Sequence, residues 1–371
     1  METFNEFIAK QPWETVRQSI YSKTAQDVQT ALVKEKRDWE DFKALISPAA
    51  LPYLGNMAEL SHQLTKNRFG QTIQLYAPLY LSNECQNICN YCGFSFDNKI
   101  LRKTLNLDEL RCEAKVLKAQ GYEHILLVTG ESSKVVGVDY LAKAIRDMRA
   151  YFSHIAIEVQ PLEQEEYEQL RQLGLNTVLV YQETYHADNY KLHHPKGRKS
   201  NFEYRLDTPD RLGKAGIHKV GIGVLLGLED WRVDSAYVAA HLGYLEKTYW
   251  KTKYSISFPR LRPADGVTLP KMEILDKEFV QLICAYRILN QEVELSLSTR
   301  ESASFRDNIF KLGITSMSAG SKTNPGGYAG KDDSLEQFEI ADHRSTEEVA
   351  AMIKSKGYDP LWKDWDRTLM P

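Results

Sequence analysis

The chain of 371 residues lacks any apolar run of 18 or more residues, the length that a membrane-spanning helix requires. Its first residues include acids and no apolar stretch, so no secretory signal is predicted. It also lacks an excess of positive charge, because 47 lysines and arginines face 50 aspartates and glutamates. This balance argues against a nucleic-acid or membrane-surface partner. We therefore expect a cytoplasmic protein with neither kind of partner.

Cysteine is scarce, and its distribution argues against a disulfide framework. There are five cysteines, an odd number, and three of them lie between positions 85 and 92. Cysteines that close together cannot brace a fold, and a reducing compartment is indicated. The other two, Cys112 and Cys284, lie alone in helical patterns and are predicted to be small buried apolar side chains.

The periodicity predicts an α/β protein built around one barrel. Residues 1–70 have apolar side chains at helical spacing and no β-rich run, which predicts an N-terminal helical extension. Eight strand patterns then alternate with amphipathic helical patterns, which predicts a (β/α)8 TIM-type barrel over residues 71–322. An open doubly wound sheet is the alternative. Residues 323–371 are predicted to form a C-terminal segment that packs on the barrel. The strand patterns begin near residues 73, 124, 155, 177, 220, 254, 293 and 314.

Several predicted strands have small or polar side chains on one face. In the third strand, Ile155 and Ile157 share one face, and Ala156 and Glu158 share the other. The fifth strand repeats the pattern with glycine, and the seventh repeats it with serine and glutamate. If the apolar faces meet the helices, the barrel interior lacks the bulky branched residues of an ordinary barrel. This lining predicts a hollow barrel that holds a ligand, with Glu158 pointing inward; a misassigned register is the alternative.

The clustered cysteines form the most informative motif. Cys85, Cys89 and Cys92 have the spacing C-x3-C-x2-C, and no fourth cysteine is nearby. Three thiolates on one short loop can hold three corners of a four-iron cluster and leave the fourth iron open to another ligand. A zinc site is the alternative, but it lacks a nearby fourth ligand to close a tetrahedron.

This motif, with an aromatic residue before its last cysteine, resembles that of the radical S-adenosylmethionine (radical SAM) superfamily. Further segments resemble the aromatic amino-acid lyases of that superfamily, and most closely its tyrosine lyases. The resemblance covers nearly the whole chain. The segments are Cys92-Gly-Phe, Tyr181-Gln-Glu-Thr-Tyr-His, Phe258-Pro-Arg-Leu-Arg-Pro, Ser298-Thr-Arg-Glu and the glycine-rich run that begins at Ser318.

The resemblance implies one [4Fe-4S] cluster and S-adenosylmethionine (SAM) as cofactors. It implies a lyase that cleaves the Cα–Cβ bond of L-tyrosine to 2-iminoacetate (dehydroglycine) and p-cresol, while SAM becomes 5′-deoxyadenosine and methionine. The first product would serve thiazole assembly in thiamine biosynthesis. The implied partners are L-tyrosine, the thiazole synthase ThiG and a reducing electron donor such as flavodoxin. A related tyrosine-cleaving maturase has a second cysteine-bound cluster near its C-terminus, which is not expected here because no cysteine follows Cys284.

Two other functions stay open. The same machinery could act on tryptophan or in another tyrosine-dependent reaction. A protein that is not an enzyme could use the cluster as an iron–sulfur electron carrier, which would require four protein ligands.

The resemblance also assigns residues to SAM. Gly130 and Glu131 resemble the segment that contacts the SAM amino group, although a simple βα turn is the alternative. The position of two acids suggests a similar role: Glu158 points inward and needs a partner, so we expect it to contact the amino or ribose groups of SAM, with an internal salt bridge as the alternative. Glu183 lies just past the fourth predicted strand and is expected near the ribose. Arg205 resembles the residue that pairs with the SAM carboxylate, since its planar guanidinium suits that group; a surface charge is the alternative.

Two further residues are assigned to the substrate. Arg300, at the end of the seventh predicted strand, resembles the arginine that holds the substrate carboxylate, and Ser318 is expected to assist it. Arg260 and Arg262 add positive charge at the same rim. The sequence does not distinguish whether they attract anionic ligands or pair with Asp265 and other acids.

Overall fold

The structure, a computed structural model, describes residues 3–264, 273–330 and 336–363. Within these ranges, parallel strands alternate with helices, which confirms the predicted α/β barrel. Each predicted strand pattern corresponds to an observed strand. The strands are β1 (Thr72–Tyr76), β2 (Pro78–Ser82), β3 (His124–Thr129), β4 (His154–Glu158), β5 (Leu175–Leu179), β6 (Lys219–Gly223), β7 (Lys253–Ser257), β8 (Glu294–Leu297), β9 (Ser316–Ser318) and β10 (Asp359–Leu361).

The strand pairing runs round a ring. The sheet order is β10-β1-β9-β8-β7-β6-β5-β4-β3-β2, so that β1 and β2 fall near opposite ends of the order although only Ala77 separates them in the chain. Residues 74–76 pair with β9, and residues 78–82 pair with β3. Because residues 72–82 form one continuous segment, this segment pairs with β9 on one side and with β3 on the other and so closes the ring. The doubly wound alternative is therefore wrong.

The first strand segment is longer than its sequence pattern indicates. The predicted pattern begins near Ile73, and the chain continues beyond β1 as β2 to Ser82. Pro78 interrupts the pattern because it has no N–H to donate, but a proline is tolerated as the first residue of a strand. Every residue of β2 is buried. The cysteine loop therefore follows β2 directly.

Helices cover the outside of the ring. The outward side chains of the strands, such as Ile155 and Ile157, are fully buried against them, as the sequence pattern predicts. Within the described ranges, no helix is both long and apolar enough to span a membrane. The barrel helices are α6 (Leu107–Ala119), α7 (Val138–Met148), α8 (Gln164–Gln172), α9 (Ala187–His193), α10 (Phe202–Leu206), α11 (Thr208–Lys214), α12 (Trp231–Thr248), α13 (Asp276–Leu289) and α14 (Ala303–Ile309), followed near the C-terminus by α15 (Thr346–Ser355).

The N-terminal region is helical, as predicted, and packs on α12 and α13. The Phe4 ring stacks on His241 with 3.9 Å between centroids, and the Trp39 indole donates a hydrogen bond to the Ala236 carbonyl oxygen at 2.6 Å. Both contacts fasten the extension to α12. The N-terminal helices are α1 (Phe4–Lys10), α2 (Trp13–Tyr21), α3 (Ala25–Val33), α4 (Trp39–Leu45) and α5 (Leu54–Phe69), with a 3-10 helix over Pro48–Tyr53.

The two isolated cysteines differ in burial. Cys284 is buried, as predicted, but Cys112 is exposed, so its predicted burial is wrong. Helix α6 turns Leu110, Ala114 and Leu117 toward the core and leaves Cys112 on the outer face. The domain boundaries at residues 70 and 322 stay predictions.

Candidate active site

A cavity of about 240 Å³ occupies the inside of the barrel. Its walls include Glu158 from β4, Ser255 and Ser257 from β7, and Glu294 and Ser296 from β8. This confirms the predicted inward face and the hollow barrel. Gly221 and Gly223 keep the wall thin at β6, where a side chain would collide with neighbouring strands.

The cysteine loop lies at the carboxyl end of β2. Cys89 is buried, Cys85 and Cys92 are half-buried, and Cys92 lines the cavity. One side chain organises this loop: the Arg102 guanidinium donates hydrogen bonds to the carbonyl oxygens of Asn83 at 2.6 Å, Phe94 at 2.9 Å and Ser95 at 2.7 Å. The loop therefore holds its shape through contacts on both sides of the motif. Arg102 was missed in the sequence because only the folded loop brings these carbonyls together.

The thiols fit a cluster that binds deprotonated sulfur. Burial raises the pKa of the Cys85 thiol to about 11 and also raises those of Cys89 and Cys92. A bound metal reverses this preference for the protonated thiol, because a metal binds thiolate. Lys199 also favours the thiolate form, because its positive charge acts to lower the pKa of Cys89 and Cys92. In the part of the chain that the structure describes, no three His, Cys, Asp or Glu side chains are grouped to hold one metal ion.

Gly130 and Glu131 support the cysteine loop from β3. A side chain at Gly130 would overlap the Glu84 carbonyl oxygen, so the backbone approaches at a distance that only glycine permits. The Glu131 carbonyl oxygen accepts a hydrogen bond from the Gln86 N–H at 2.9 Å. The Glu131 carboxylate accepts one from the Asn87 amide at 2.8 Å. The segment thus supports the cysteine loop, and its contact with the SAM amino group stays a prediction.

Glu131 also belongs to a buried network of four charges. Arg205 Nη1 lies 2.9 Å from Glu131 Oε1, and Lys199 Nζ lies 2.8 Å from Glu183 Oε1. The longer distances in the network are 3.6 Å from Lys199 to Glu131 and 3.7 Å from Arg205 to Glu183. Although burial opposes ionisation, Arg205 and Lys199 hold the pKa of Glu131 below its ordinary value. Arg205 is buried, so its interpretation as a surface charge is wrong.

Glu183 and Lys199 reach from this network into the cavity. Glu183 has a φ of 70°, a left-handed conformation that is costly for a residue other than glycine. Its carbonyl oxygen accepts a hydrogen bond from the Leu225 N–H at 2.9 Å, which helps to fix the turn. Lys199 was missed in the sequence because it lies in a single 3-10 turn, Arg198–Ser200, without a recognisable motif.

Glu158, at the end of β4, and Arg300, in the turn after β8, both line the cavity. The Arg300 guanidinium lies 3.3 Å from the centroid of the Phe338 ring, and no acidic side chain in the described ranges pairs with it. Glu158 makes no hydrogen bond or ion pair within those ranges, so its predicted alternative, an internal salt bridge, is not found there. Burial, reinforced by the charge of Glu183, raises the pKa of Glu158 to about 7.

Ser318 lines the cavity beside Arg300, but its hydroxyl is engaged. Its Oγ accepts a hydrogen bond from the Thr299 N–H at 2.9 Å, and its carbonyl oxygen accepts one from the buried Arg306. Ser318 therefore fixes the backbone next to Arg300.

A segment far along the chain completes the site. The Gln337 amide donates to Cys92 Sγ at 3.7 Å, and its oxygen accepts a hydrogen bond from the Tyr80 hydroxyl at 2.7 Å. The Gly93 N–H donates to the Gln337 carbonyl oxygen at 3.1 Å. Gln337 was missed because it lies more than 240 positions after the cysteines, and no pattern links the two.

The two rim arginines pair with an acid. Arg260 and Arg262 both contact Glu301, which is 2% exposed, and Arg260 also pairs with Asp276 at 2.7 Å. Asp265 lies outside the described residues. Of the two interpretations left open by the sequence, pairing with acids is the one found.

Two family models match segments of this chain, and known proteins match it over its full length. Residues 79–237 match the radical SAM superfamily model, and residues 257–359 match the model of the biotin and thiamin synthesis associated domain. Over 370 residues, the sequence is 50% identical to the 2-iminoacetate synthases of Escherichia coli (strain K12) and Salmonella typhimurium (strain LT2), covering 100% of this chain and 98% of each relative.

The chain belongs to the family of the 2-iminoacetate synthases, within the radical SAM superfamily. A solved structure of HydG, a maturase of the [FeFe]-hydrogenase, has the same fold with a TM-score of 0.89 and 30% identity. The comparison covers 94% of this chain and 80% of HydG. The cofactors of this superfamily, and of this member, are a [4Fe-4S] cluster and SAM.

Proposed function

We propose that this protein is a 2-iminoacetate synthase that cleaves the Cα–Cβ bond of L-tyrosine. The observation that carries the proposal is the 50% identity to two relatives of that name over nearly the full length of each chain. The reaction yields 2-iminoacetate and p-cresol from tyrosine, and 5′-deoxyadenosine and methionine from SAM. The match to a domain associated with thiamin synthesis supports a role in making the thiazole of thiamine.

Cys85, Cys89 and Cys92 would hold three irons of the cluster and leave the fourth for SAM. Their common loop, their burial and the position of Cys92 on the cavity wall support this assignment. When bound, the cluster and SAM supply the adenosyl radical that starts the reaction. In the proposed reaction, the barrel wall would shield that reactive species from water.

Five residues would bind SAM, and they differ in how directly they reach it. Glu158 and Glu183 line the cavity and would contact the amino or ribose groups. Gly130, Glu131 and Arg205 lie behind that wall. Arg205 stays our candidate for the SAM carboxylate, which would share its guanidinium with Glu131.

Arg300 would hold the tyrosine carboxylate, with Ser318 fixing the backbone beside it. A buried charge is costly without a partner, and a ligand carboxylate would supply that partner. The absence of an acidic partner for Arg300 in the described ranges supports this role. The thiazole synthase ThiG, a flavodoxin-type electron donor and a cytoplasmic location stay predictions.

Product analysis tests the proposal. Anaerobically reconstituted protein with SAM, dithionite and tyrosine should form 5′-deoxyadenosine and p-cresol, and a Cys89→Ser variant should form neither. Turnover of tryptophan without p-cresol from tyrosine would instead support the related lyase. Absence of 5′-deoxyadenosine from protein with a full cluster would support the electron carrier.

A further inference from the structure

One exposed surface lies directly outside the cysteine loop. Residues 192–199 cover part of this loop: the Ile88 N–H donates to the Lys196 carbonyl oxygen at 3.0 Å, and the Asn90 N–H donates to the His193 carbonyl oxygen at 3.3 Å. On another side, the Gln86 N–H donates to the Glu131 carbonyl oxygen. We define the cluster-side patch as the exposed residues of the three segments 96–101, 134–135 and 191–198.

The cluster-side patch combines apolar and cationic side chains. Phe96 is 63% exposed, Leu101 67%, Leu192 59% and Val135 43%, and these are half of the exposed large apolar side chains in the described ranges. Such a concentration marks an interaction surface, since singly scattered apolar residues are the norm elsewhere. Its exposed cations are Lys99, Lys134, Lys191, Lys196 and Arg198.

These five cations are uncompensated. None of them forms an ion pair with an acid of the described residues, in contrast to the buried network beneath them. Asp97 is the one acidic residue of the three segments, all of which the structure describes, and the exposed Asp188 and Glu203 flank the third segment. The surface therefore has an excess of positive charge in a chain whose formal net charge is −3.

The cysteine loop separates this surface from the proposed cluster by one layer of chain. Gln86, Ile88 and Asn90 alternate with the cysteine-bearing side of the loop and are half-exposed. A partner docked on the patch would thus approach the cluster more closely than a partner elsewhere on the barrel. Electron carriers form small transient interfaces, and complementary charge speeds their association.

We infer that the cluster-side patch docks an acidic one-electron carrier protein, with Phe96 and Leu192 as apolar anchors inside a ring of cations. The inference rests on the proposed function, which needs a reduced cluster. One electron passes: the carrier is oxidised by one electron, and the cluster goes from the 2+ to the 1+ state. The expected carrier is a small acidic flavin or iron–sulfur protein. Flavodoxin is the probe for the test.

The test compares two triple charge reversals. Lys134→Glu/Lys191→Glu/Lys196→Glu changes the patch. Lys214→Glu/Lys247→Glu/Lys251→Glu changes three exposed lysines at the amino ends of the strands, the opposite end of the barrel. Both alter net charge equally. Binding of oxidised flavodoxin to the oxidised reconstituted enzyme is measured by calorimetry, and cluster reduction by reduced flavodoxin is measured by electron paramagnetic resonance without substrate.

In the patch variant, the Kd for flavodoxin should rise and the rate of cluster reduction by flavodoxin should fall, each roughly 10- to 100-fold, which is within the range of electrostatic steering. The control variant should resemble the wild type, and dithionite should reduce the cluster of all three proteins alike. A Phe96→Ser variant should weaken binding at high salt as well. Wild-type behaviour of the patch variant, or equal loss in the control, would overturn the inference. Lack of p-cresol with dithionite would count against the proposed function alone.

Discussion

Arg300 is half-buried, lines the cavity and stacks its guanidinium on Phe338. Replacing it by glutamine should lower kcat/KM for tyrosine roughly 100-fold or more, because losing one partner of a buried charge pair costs about 3–5 kcal/mol. Arg262→Gln is the control, since Arg262 pairs with Glu301. Steady-state p-cresol formation measures both. A KM for tyrosine that is unchanged in Arg300→Gln would show that the carboxylate binds elsewhere.

Gln337 donates to Cys92 Sγ, and hydrogen bonds to cluster sulfurs stabilise the more negative, reduced state. Gln337→Met removes the donor while keeping similar bulk, so the cluster potential should become more negative. Tyr80→Phe removes only the partner of the Gln337 oxygen and should change the potential less. Redox titration followed by electron paramagnetic resonance gives both values. A positive shift in Gln337→Met would contradict this role.

Glu158 is half-buried, and burial raises its pKa to about 7. Because the folded state binds this proton more tightly than the unfolded state, Glu158 stabilises the fold fully below the ordinary pKa of 4.5 and loses that contribution as pH rises to about 7. Relative to Glu158→Gln, the wild type should lose up to about 3 kcal/mol of unfolding free energy across this window. Urea unfolding of cofactor-free protein at several pH values measures it. An unchanged difference would place the Glu158 pKa near its ordinary value.

At the scale of elements, the turn after β3 fixes the cysteine loop through backbone contact. Gly130→Ala would push its new methyl group against the Glu84 carbonyl oxygen, and such overpacking costs about 1–3 kcal/mol. We expect lower iron content and a lower unfolding temperature. Gly243→Ala is the matched control, because Gly243 lies within α12 with open space around it. It should gain about 0.5–1 kcal/mol. Equal effects would contradict the close approach.

Secondary structure and the facing of side chains could be predicted wherever the local pattern of apolar and polar residues determines them. Alternation in β4 gave the inward face of Glu158, since successive strand residues must face opposite sides. The spacing of Leu110, Ala114 and Leu117 already marks the buried face of α6 and places Cys112 on the opposite side. The prediction for Cys112 failed because it relied on the general tendency of cysteine to be buried and not on its position in the helix. Lys199 and Gln337 could not be found at all. Their roles come from short segments outside the barrel strands that tertiary contacts bring to the cysteines.

At the scale of the whole molecule, the C-terminal region is joined to the barrel in two ways. Strand β10 pairs with β1 through residues 72–74, and the Trp362 carbonyl oxygen accepts a hydrogen bond from the Glu123 N–H at 3.1 Å. The chain therefore returns to the start of the barrel after forming the segment that contains Gln337. The segment that contains Gln337 is therefore anchored to the barrel at the end that follows it.

A buried ion pair provides the second attachment. Arg306 and Asp342 are both fully buried and contact each other, and Arg306 also holds the Ser318 carbonyl oxygen. Asp342→Asn should destabilise the fold by about 3–5 kcal/mol, because it leaves the Arg306 charge buried without its full partner. Asp307→Asn breaks only a partly exposed pair with Arg344 and should cost about 0–1 kcal/mol.

Thermal unfolding ranks the two variants by stability. Their iron content shows whether the lost stability also affects the cysteine loop. If the ion pair transmits its effect through Ser318 and the C-terminal region, Asp342→Asn should lose iron at temperatures where Asp307→Asn retains it. Equal stability of the two variants would show that strand pairing alone fastens the C-terminal region. Loss of stability without loss of iron would show that the cysteine loop holds its shape independently, through Arg102 and the turn at Gly130.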